Sequence, residues 1–401
     1  MKTKTRLDEL AEIVMGQAPP GDSYNTDGNG LPLIAGAGDF NGQGISPKKY
    51  TTNPSKRAQP GDLILGIRAS IGEKRIADRQ YALGRGVASI RPTQRLDHRY
   101  LWHWLDYVSE ELASKGRGAT FKQVNRQDIG ELRIDNLPLS SQQRIARMLD
   151  KADALRAMRR RAVDLLDSLA QSLFYDMFDT PIESQWENYR FSELVTEFRY
   201  GTSNKSTDSG YPALRIPNVI GGGIDLTEIK TVPVSPHELE RLRLQDGDLL
   251  FVRTNGSPEN VGRCATFTTS NVSGLEFHPN EWIYASYLIR ARLNLSMVDS
   301  TYIREFMLGP TGRAMLREHS KTSAGQFNIN IDGLSSVIVP VPPIAAQRSY
   351  ADKLSELAKH RAMASVHLAR LDNLFNSLQS RAFRGELWQD DLDHLEGEGL
   401  S

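Results

Sequence analysis

Apolar and polar positions at residues 140–181 follow a helical period. Residues 141–178 are 38 in number, contain neither Gly nor Pro, and are rich in Ala, Leu, Arg, Met and Gln. Propensity and period agree on one continuous helix, about 57 Å long. Ser140 with Gln143 makes a capping-box pair at its start, and Pro181 ends it. Ile344 to Phe383 predicts a second helix of the same kind.

The two helices repeat one another. Leu166, Asp167, Leu169, Ser172, Leu173 and Phe178 match Leu371, Asp372, Leu374, Ser377, Leu378 and Phe383 at a constant offset of 205. Leu354, Leu357, Arg361, Ala364, Leu368, Leu371, Phe375 and Leu378 form a coiled-coil seam. The same offset yields Leu149, Ala152, Arg156, Arg159, Val163, Leu166, Ala170 and Leu173, a weaker seam that carries two arginines. The first helix ends where a large intervening segment begins, and the second starts where that segment ends. Packed side by side they must be antiparallel, which sets Arg156 toward Asp372 and Arg361 toward Asp167 and predicts two interhelical ion pairs.

Elsewhere the pattern is short and strand-like. In residues 1–137, LDELAEIVMG reads as a short helix or helix–strand opening that ends at Gly16. LPLIAGAGDF, QPGDLILGIRAS and GVASIRPT are apolar runs bounded by Gly, Pro and Asp, which predict strands of a twisted sheet or open barrel. DHRYLWHWLDYVSEELAS predicts a helix with Leu101, Trp104, Leu105 and Val108 inward. Residues 182–340 repeat that order: Gly201 echoes Gly16, Gly247-Asp248-Leu249 echo Gly61-Asp62-Leu63, Arg253 echoes Arg68, and Phe327 echoes Phe121. The chain thus reads as 1–137 domain, 138–181 helix, 182–340 diverged domain, 341–388 helix, and an acidic tail at 389–401.

Composition adds little and excludes some classes. The chain has 401 residues, 49 Lys+Arg against 49 Asp+Glu, and one cysteine. No apolar run approaches a membrane span and MKTKTRLDEL lacks the core of a signal peptide, so a cytoplasmic location is expected. Residues 1–137 hold 20 basic against 16 acidic residues, a net +4; residues 181–340 hold 15 against 18, a net −3. Cys264, in the strand-like VGRCATF, reads as a small buried hydrophobe and rules out an intramolecular disulfide.

No GxxxxGK[ST] phosphate loop, HExxH pair or Asn/Asp-Pro-Pro-aromatic run is present. Gly36-Ala-Gly38 reads as a turn. Asp62 with Glu73-Lys74 is a poor nuclease cluster, because the second copy keeps only Asp248; Gly-Asp in both copies reads as a turn feeding a strand. Glu110 and Glu111 point about 100° apart on a helix and form no carboxylate pair. His360 and His367, seven apart on a helix, are too distant to share a metal and are expected to face solvent.

LPLSSQQRIARMLDKADALR from Leu137, VPVPPIAAQRSYADKL, and LFNSLQSRAFRGEL resemble the central and distal conserved regions of the specificity subunits of type I restriction–modification systems. WENYRFSELVTEFRYG at Trp186 resembles the start of one of their target-recognition domains. The first domain lacks that Trp, and Ala346 precedes Gln347 where the family often has an acidic residue. The resemblance implies an α+β chain: two similar strand-rich target-recognition domains separated by two long antiparallel coiled-coil helices, a pseudo-two-fold internal repeat. It implies a non-catalytic reader of double-stranded DNA, each domain binding half of a bipartite site. The helices would set the spacer and dock two methyltransferase subunits, with restriction–translocase subunits joining the full complex. No cofactor is expected in this chain; S-adenosylmethionine, ATP and Mg2+ are implied for the partners. A coiled-coil adaptor with two protein-binding domains is the alternative reading.

Phosphate contacts position a protein on DNA and base-edge contacts specify the sequence, and both use polar or basic side chains on loops. In the first domain Asn41, Gln43, Arg68, Ser70, Lys115, Arg117, Lys122 and Gln123 are the candidates. In the second they are Asn204, Lys205, Arg215, Asn218, Arg253, Asn255, Lys321, Gln326 and Asn328.

Overall fold

The computed structural model describes residues 4–42, 44–118, 122–178, 186–323 and 325–387. Gln43, Phe121, the Pro181 boundary and the acidic tail lie outside them. The chain divides into two compact units, Met1–Ala162 with Ala364–Ser401, and Val163–Met363. Both long helices form, Leu139–Phe178 and Ile344–Phe383, and each is shared between the units.

In the first unit an antiparallel sheet has the strand order Lys74–Ile76, Leu63–Gly66, Val87–Pro92, Ala11–Met15. A second sheet pairs Leu31–Ile34 in parallel with Tyr81–Leu83. Successive side chains of a strand face opposite ways, and here both faces are covered. Leu63 and Leu65 enter a core with Tyr100, Leu101, Trp104, Leu105, Ile145 and Leu149, while Ile64 enters another with Ile34, Tyr81 and Leu83. Burying one such large apolar side chain contributes about 1.5–3 kcal/mol. That double coverage explains why the segment reads as a continuous apolar run.

The helix expected at 97–114 is two, His98–Tyr107 and Ser109–Ser114, broken at Val108. Asp97 caps the first by accepting the Arg99 and Tyr100 amides. Its four expected inward residues, Leu101, Trp104, Leu105 and Val108, are buried.

The second unit repeats the plan. Val195–Tyr200, Leu288–Leu293, Leu249–Val252 and Cys264–Thr266 form the antiparallel sheet. Tyr211–Leu214 runs parallel to Ile283–Tyr284. Leu249 and Phe251 face one core, Leu250 and Val252 the other. The matched glycines turn at the same close approach: a Cβ on Gly16 would lie 2.0 Å from the Gly84 carbonyl oxygen, and one on Gly201 2.4 Å from that of Ala285, which stands in the place of Gly84.

Two side-chain devices recur. Arg91 clasps Asp62 through Nε (2.7 Å) and Nη2 (2.9 Å), and Arg292 clasps Asp248 in the same way at 2.9 and 2.8 Å. Both carboxylates also accept a turn amide, from Gln59 and Gln245, so the repeated Gly-Asp is a turn locked to the neighbouring strand. The second device is a buried glutamine at offset 205. Gln142 Oε1 accepts the Asp97 amide (2.8 Å) and Nε2 donates to the carbonyls of Leu137 and Arg95. Gln347 does the same with the Asp299 amide (2.9 Å) and the carbonyls of Pro342 and Met297. Each ties the start of a long helix to the capping aspartate of a domain helix.

The first long helix starts at Leu139, which places Ser140 in its first turn and not at the cap. The expected seam forms within each unit. Leu149 and Leu378 share one core, Leu173 and Leu354 the other. In the first unit Arg156 Nε donates to Asp372 Oδ1 at 2.6 Å, and in the second Arg361 pairs with Asp167. Within the second unit Phe178 packs on Tyr350 (5.5 Å between ring centres) while Arg361 meets Asp167, so the helices there run antiparallel. His360 and His367 are exposed.

Candidate nucleic-acid interface

In the first unit the strand Leu63–Gly66 runs out into residues 67–70. Ala69 there has φ 61°, the one positive value at a non-glycine residue among those described. Such a conformation costs a residue with a Cβ about 1–2 kcal/mol, and neighbours hold it. The Ala69 amide donates to the Lys122 carbonyl (3.2 Å) and the Ser70 amide to the Arg68 carbonyl (2.9 Å). Arg68 bridges to Gln123, and Gln123 to Arg117. Arg68, Ser70, Arg117, Lys122 and Gln123 are thereby brought to one exposed corner. Arg117 is 72% exposed and touches Asp128 at 3.0 Å. Lys115 pairs with Glu111 at 3.1 Å. Asn41 is exposed in the hairpin of Phe40–Asn41 and Gly44–Ile45.

The corresponding corner of the second unit is a small sheet of Thr254–Asn255, Gln326–Asn328 and Lys321–Ser323. Thr254 Oγ1 donates to Gln326 Oε1 at 3.2 Å, and Asn255 Oδ1 accepts the Ser257 amide at 3.0 Å. Lys321 pairs in register with Asn328. Asn204 and Lys205 are exposed, the former tied to the Pro233 carbonyl. Arg215 reaches Glu228 at 3.2 Å.

Three sequence expectations change here. Arg253 does not stand in the place of Arg68. Its amide donates to the Tyr287 carbonyl and its carbonyl accepts the Ile329 amide, as Ile67 does with Gly86 and Val124. Thr254, opposite Asn328, therefore matches Arg68, opposite Gln123. The Arg253 guanidinium lies over the Tyr200 ring at 4.7 Å, turned against the frame. Asn218 is also no surface reader: it is 2% exposed, its Oδ1 accepts the Arg215 amide and its Nδ2 donates to the carbonyls of Asp225 and Glu228. Thirdly, the expected residues left out Arg85 and Lys49. Both line a cleft of about 370 Å³ beside Arg68, with Tyr24, Gly84 and Gly86. The signal for Arg85 was the GRG between two strands, a turn displaying one charged residue.

Other candidate chemistry is structural. Lys74 is buried, pairs with Asp106 and lies 4.3 Å from the centre of the Trp102 ring; burial pushes its ammonium below the ordinary lysine value. The buried Cys264 thiol is pushed up to about 12 by desolvation, far from a reactive thiolate. Among the described residues no group of three His, Cys, Asp or Glu is placed to hold a metal ion, and no helix is long and apolar enough to cross a membrane.

Residues 2–163 match the family model described as the type I restriction modification DNA specificity domain. The EcoKI specificity subunit of Escherichia coli is 27% identical over 407 residues, covering 92% of this chain and 86% of that one. A putative MjaX specificity subunit of Methanocaldococcus jannaschii is 30% identical over 41% of this chain and 39% of its own. The crystal structure of a type I restriction–modification S subunit from M. genitalium covers 96% of both chains with a TM-score of 0.56 at 16% identity, a likeness of fold.

Proposed function

We propose that this chain, a specificity subunit of a type I restriction–modification system, reads a bipartite DNA site with one unit for each half. The observation that supports this most is one frame built twice with different tips. The Asp–Arg clasps and buried glutamines are the same in both units. At matched positions on the polar edge the side chains differ: Arg68 against Thr254, and Gly36 against Arg215 at the start of matched short helical turns. A shared scaffold with exchanged tips suits two different half-sequences, because base identity is read by the few side chains that reach base edges.

The long helices are assigned to the spacer and to the methyltransferase subunits. Leu155, Met158, Val366 and Leu374 in the first unit, and Leu165, Leu169 and Met363 in the second, are each about half exposed or more, apolar surface that a partner would cover. In this reading the chain contributes recognition alone, and S-adenosylmethionine, ATP and Mg2+ belong to the methyltransferase and restriction subunits. Mapping methylated sites in cells with and without the gene tests it. One bipartite sequence should lose methylation when the gene is removed; an unchanged methylation map would refute the assignment.

A further inference from the structure

Of the cations on the first unit's polar edge, two have no ion-pair partner among the described residues and share one cleft. Arg85 is exposed at the tip of residues 84–86, and Lys49 is exposed on Lys49–Thr51, which lies in the same sheet one strand beyond Leu31–Ile34. Both line the 370 Å³ cleft with Arg68, and no acidic residue lines it among those described. The tip is a rigid mount. The Gly84 amide donates to the Ile34 carbonyl (2.8 Å), the Gly86 amide to the Ala35 carbonyl (3.0 Å), and the Gly86 carbonyl accepts the Ile67 amide (3.0 Å). A Cβ on Gly86 would fall 2.4 Å from the Ala35 oxygen, so only glycine fits beside the arginine. Holding unneutralised cations together in a cleft is unfavourable unless an anion joins them.

The second unit lacks this arrangement at the same backbone positions. Lys230 pairs with Ala213 as Lys49 pairs with Leu33, but Lys230 lies 3.4 Å from Glu228. Ala285 donates to Leu214 as Gly84 donates to Ile34, so Ser286 holds the place of Arg85.

We propose that Lys49, Arg68 and Arg85 form a clamp for one phosphodiester of the DNA backbone, and that this clamp is confined to the first unit. The inference rests on the DNA-reading function above and adds to it an asymmetry: the first half-site carries a salt-sensitive contact that the second does not.

The test uses the chain assembled with its methyltransferase subunits, and fluorescence anisotropy on duplexes carrying the mapped site, at salt from about 50 to about 200 mM. Losing one phosphate contact in Arg85→Gln should make the salt-driven rise in Kd about threefold smaller than in the parent. The weakening should be equal on duplexes altered in either half-site, Arg85→Lys should restore the parent slope, and Lys49→Gln should act like Arg85→Gln. Ser286→Ala should leave the slope unchanged. An unaltered slope in Arg85→Gln and Lys49→Gln overturns the clamp. So does a changed base preference in the first half-site that Arg85→Lys fails to restore, since that marks a bidentate base reader. Absence of any site preference in the parent complex would instead overturn the DNA-reading function itself.

Discussion

Arg156 and Asp372 meet at 2.6 Å between the two long helices of the first unit. Arg160 joins the same carboxylate at 3.0 Å, and the Arg156 guanidinium lies 4.2 Å from the centre of the Phe375 ring. At offset 205 Arg156 becomes Arg361 and Asp372 becomes Asp167, so the second unit holds the same pair with the helix roles exchanged. The environments differ, however. The Arg156 side chain is 15% exposed and that of Arg361 is 54%. Asp372→Asn leaves the largely buried Arg156 guanidinium with Asp153, at 3.2 Å, as its remaining carboxylate and should destabilise the first unit by about 2 kcal/mol. Asp167→Asn should cost less than about 1 kcal/mol. Denaturant unfolding of the two variants checks this; equal losses would mean that burial does not set the strength of the pair.

The buried glutamines should matter more than either ion pair. Gln142→Ala or Gln347→Ala strands one amide and two carbonyls away from water, and each change should cost about 3 kcal/mol. Because Asp97 and Asp299 belong to different units, hydrogen exchange should report the Gln142→Ala loss in helix His98–Tyr107 and the Gln347→Ala loss in helix Ser300–Leu308. Uniform loosening of both helices in both variants would contradict a local clasp.

Stability should fall on acidification, for a reason located at His103. Its ring is buried, with Nε2 2.7 Å from Asp150 Oδ1, and desolvation pulls its pKa below the ordinary 6.5 despite that carboxylate. The unfolded chain therefore takes up the proton first. The stability that neutral His103 contributes is present above its unfolded pKa and is lost as pH falls toward the lower folded one. Asp150 acts at lower pH in the same direction. Burial raises its pKa, the hydrogen bonds from Arg99 and His103 outweigh that, and its net shift is downward, so its contribution is lost as pH falls through the folded carboxylate value. His103→Gln should flatten the pH dependence of unfolding between about pH 7 and pH 5. An unaltered slope there would remove His103 from the account.

Much of this was legible because helical order is local. The uninterrupted run of 141–178, its copy at offset 205 and the resulting register located both ion pairs from sequence positions alone. The domain edges were harder. Arg68 and Arg253 are the same residue type near the same turn, and that identity drew them together, whereas backbone pairing sets Arg68 against Thr254, one residue along. Asn218 looked like a polar loop residue, but its loop folds back over it and uses its amide as internal bonding, a property of the loop's conformation. For Arg85 the GRG run marks a turn with one charge, but its cleft with Lys49 and Arg68 exists only once distant strands are brought together. The helix cap at Ser140 was displaced because the helix gains an earlier turn, closed by the Gln142 amide on the Pro138 carbonyl.

In the proposed function each unit reads its own half of the site. Replacing residues 1–137, which end just before the helix start at Leu139, with the matching domain of a relative of different specificity tests this most directly, with the methylated sequence of the resulting complex mapped across a genome. One half-sequence should change to that of the donor while the other half and the spacer length stay as they were. A site in which both halves change together, or neither does, would show that the two units do not read separate halves.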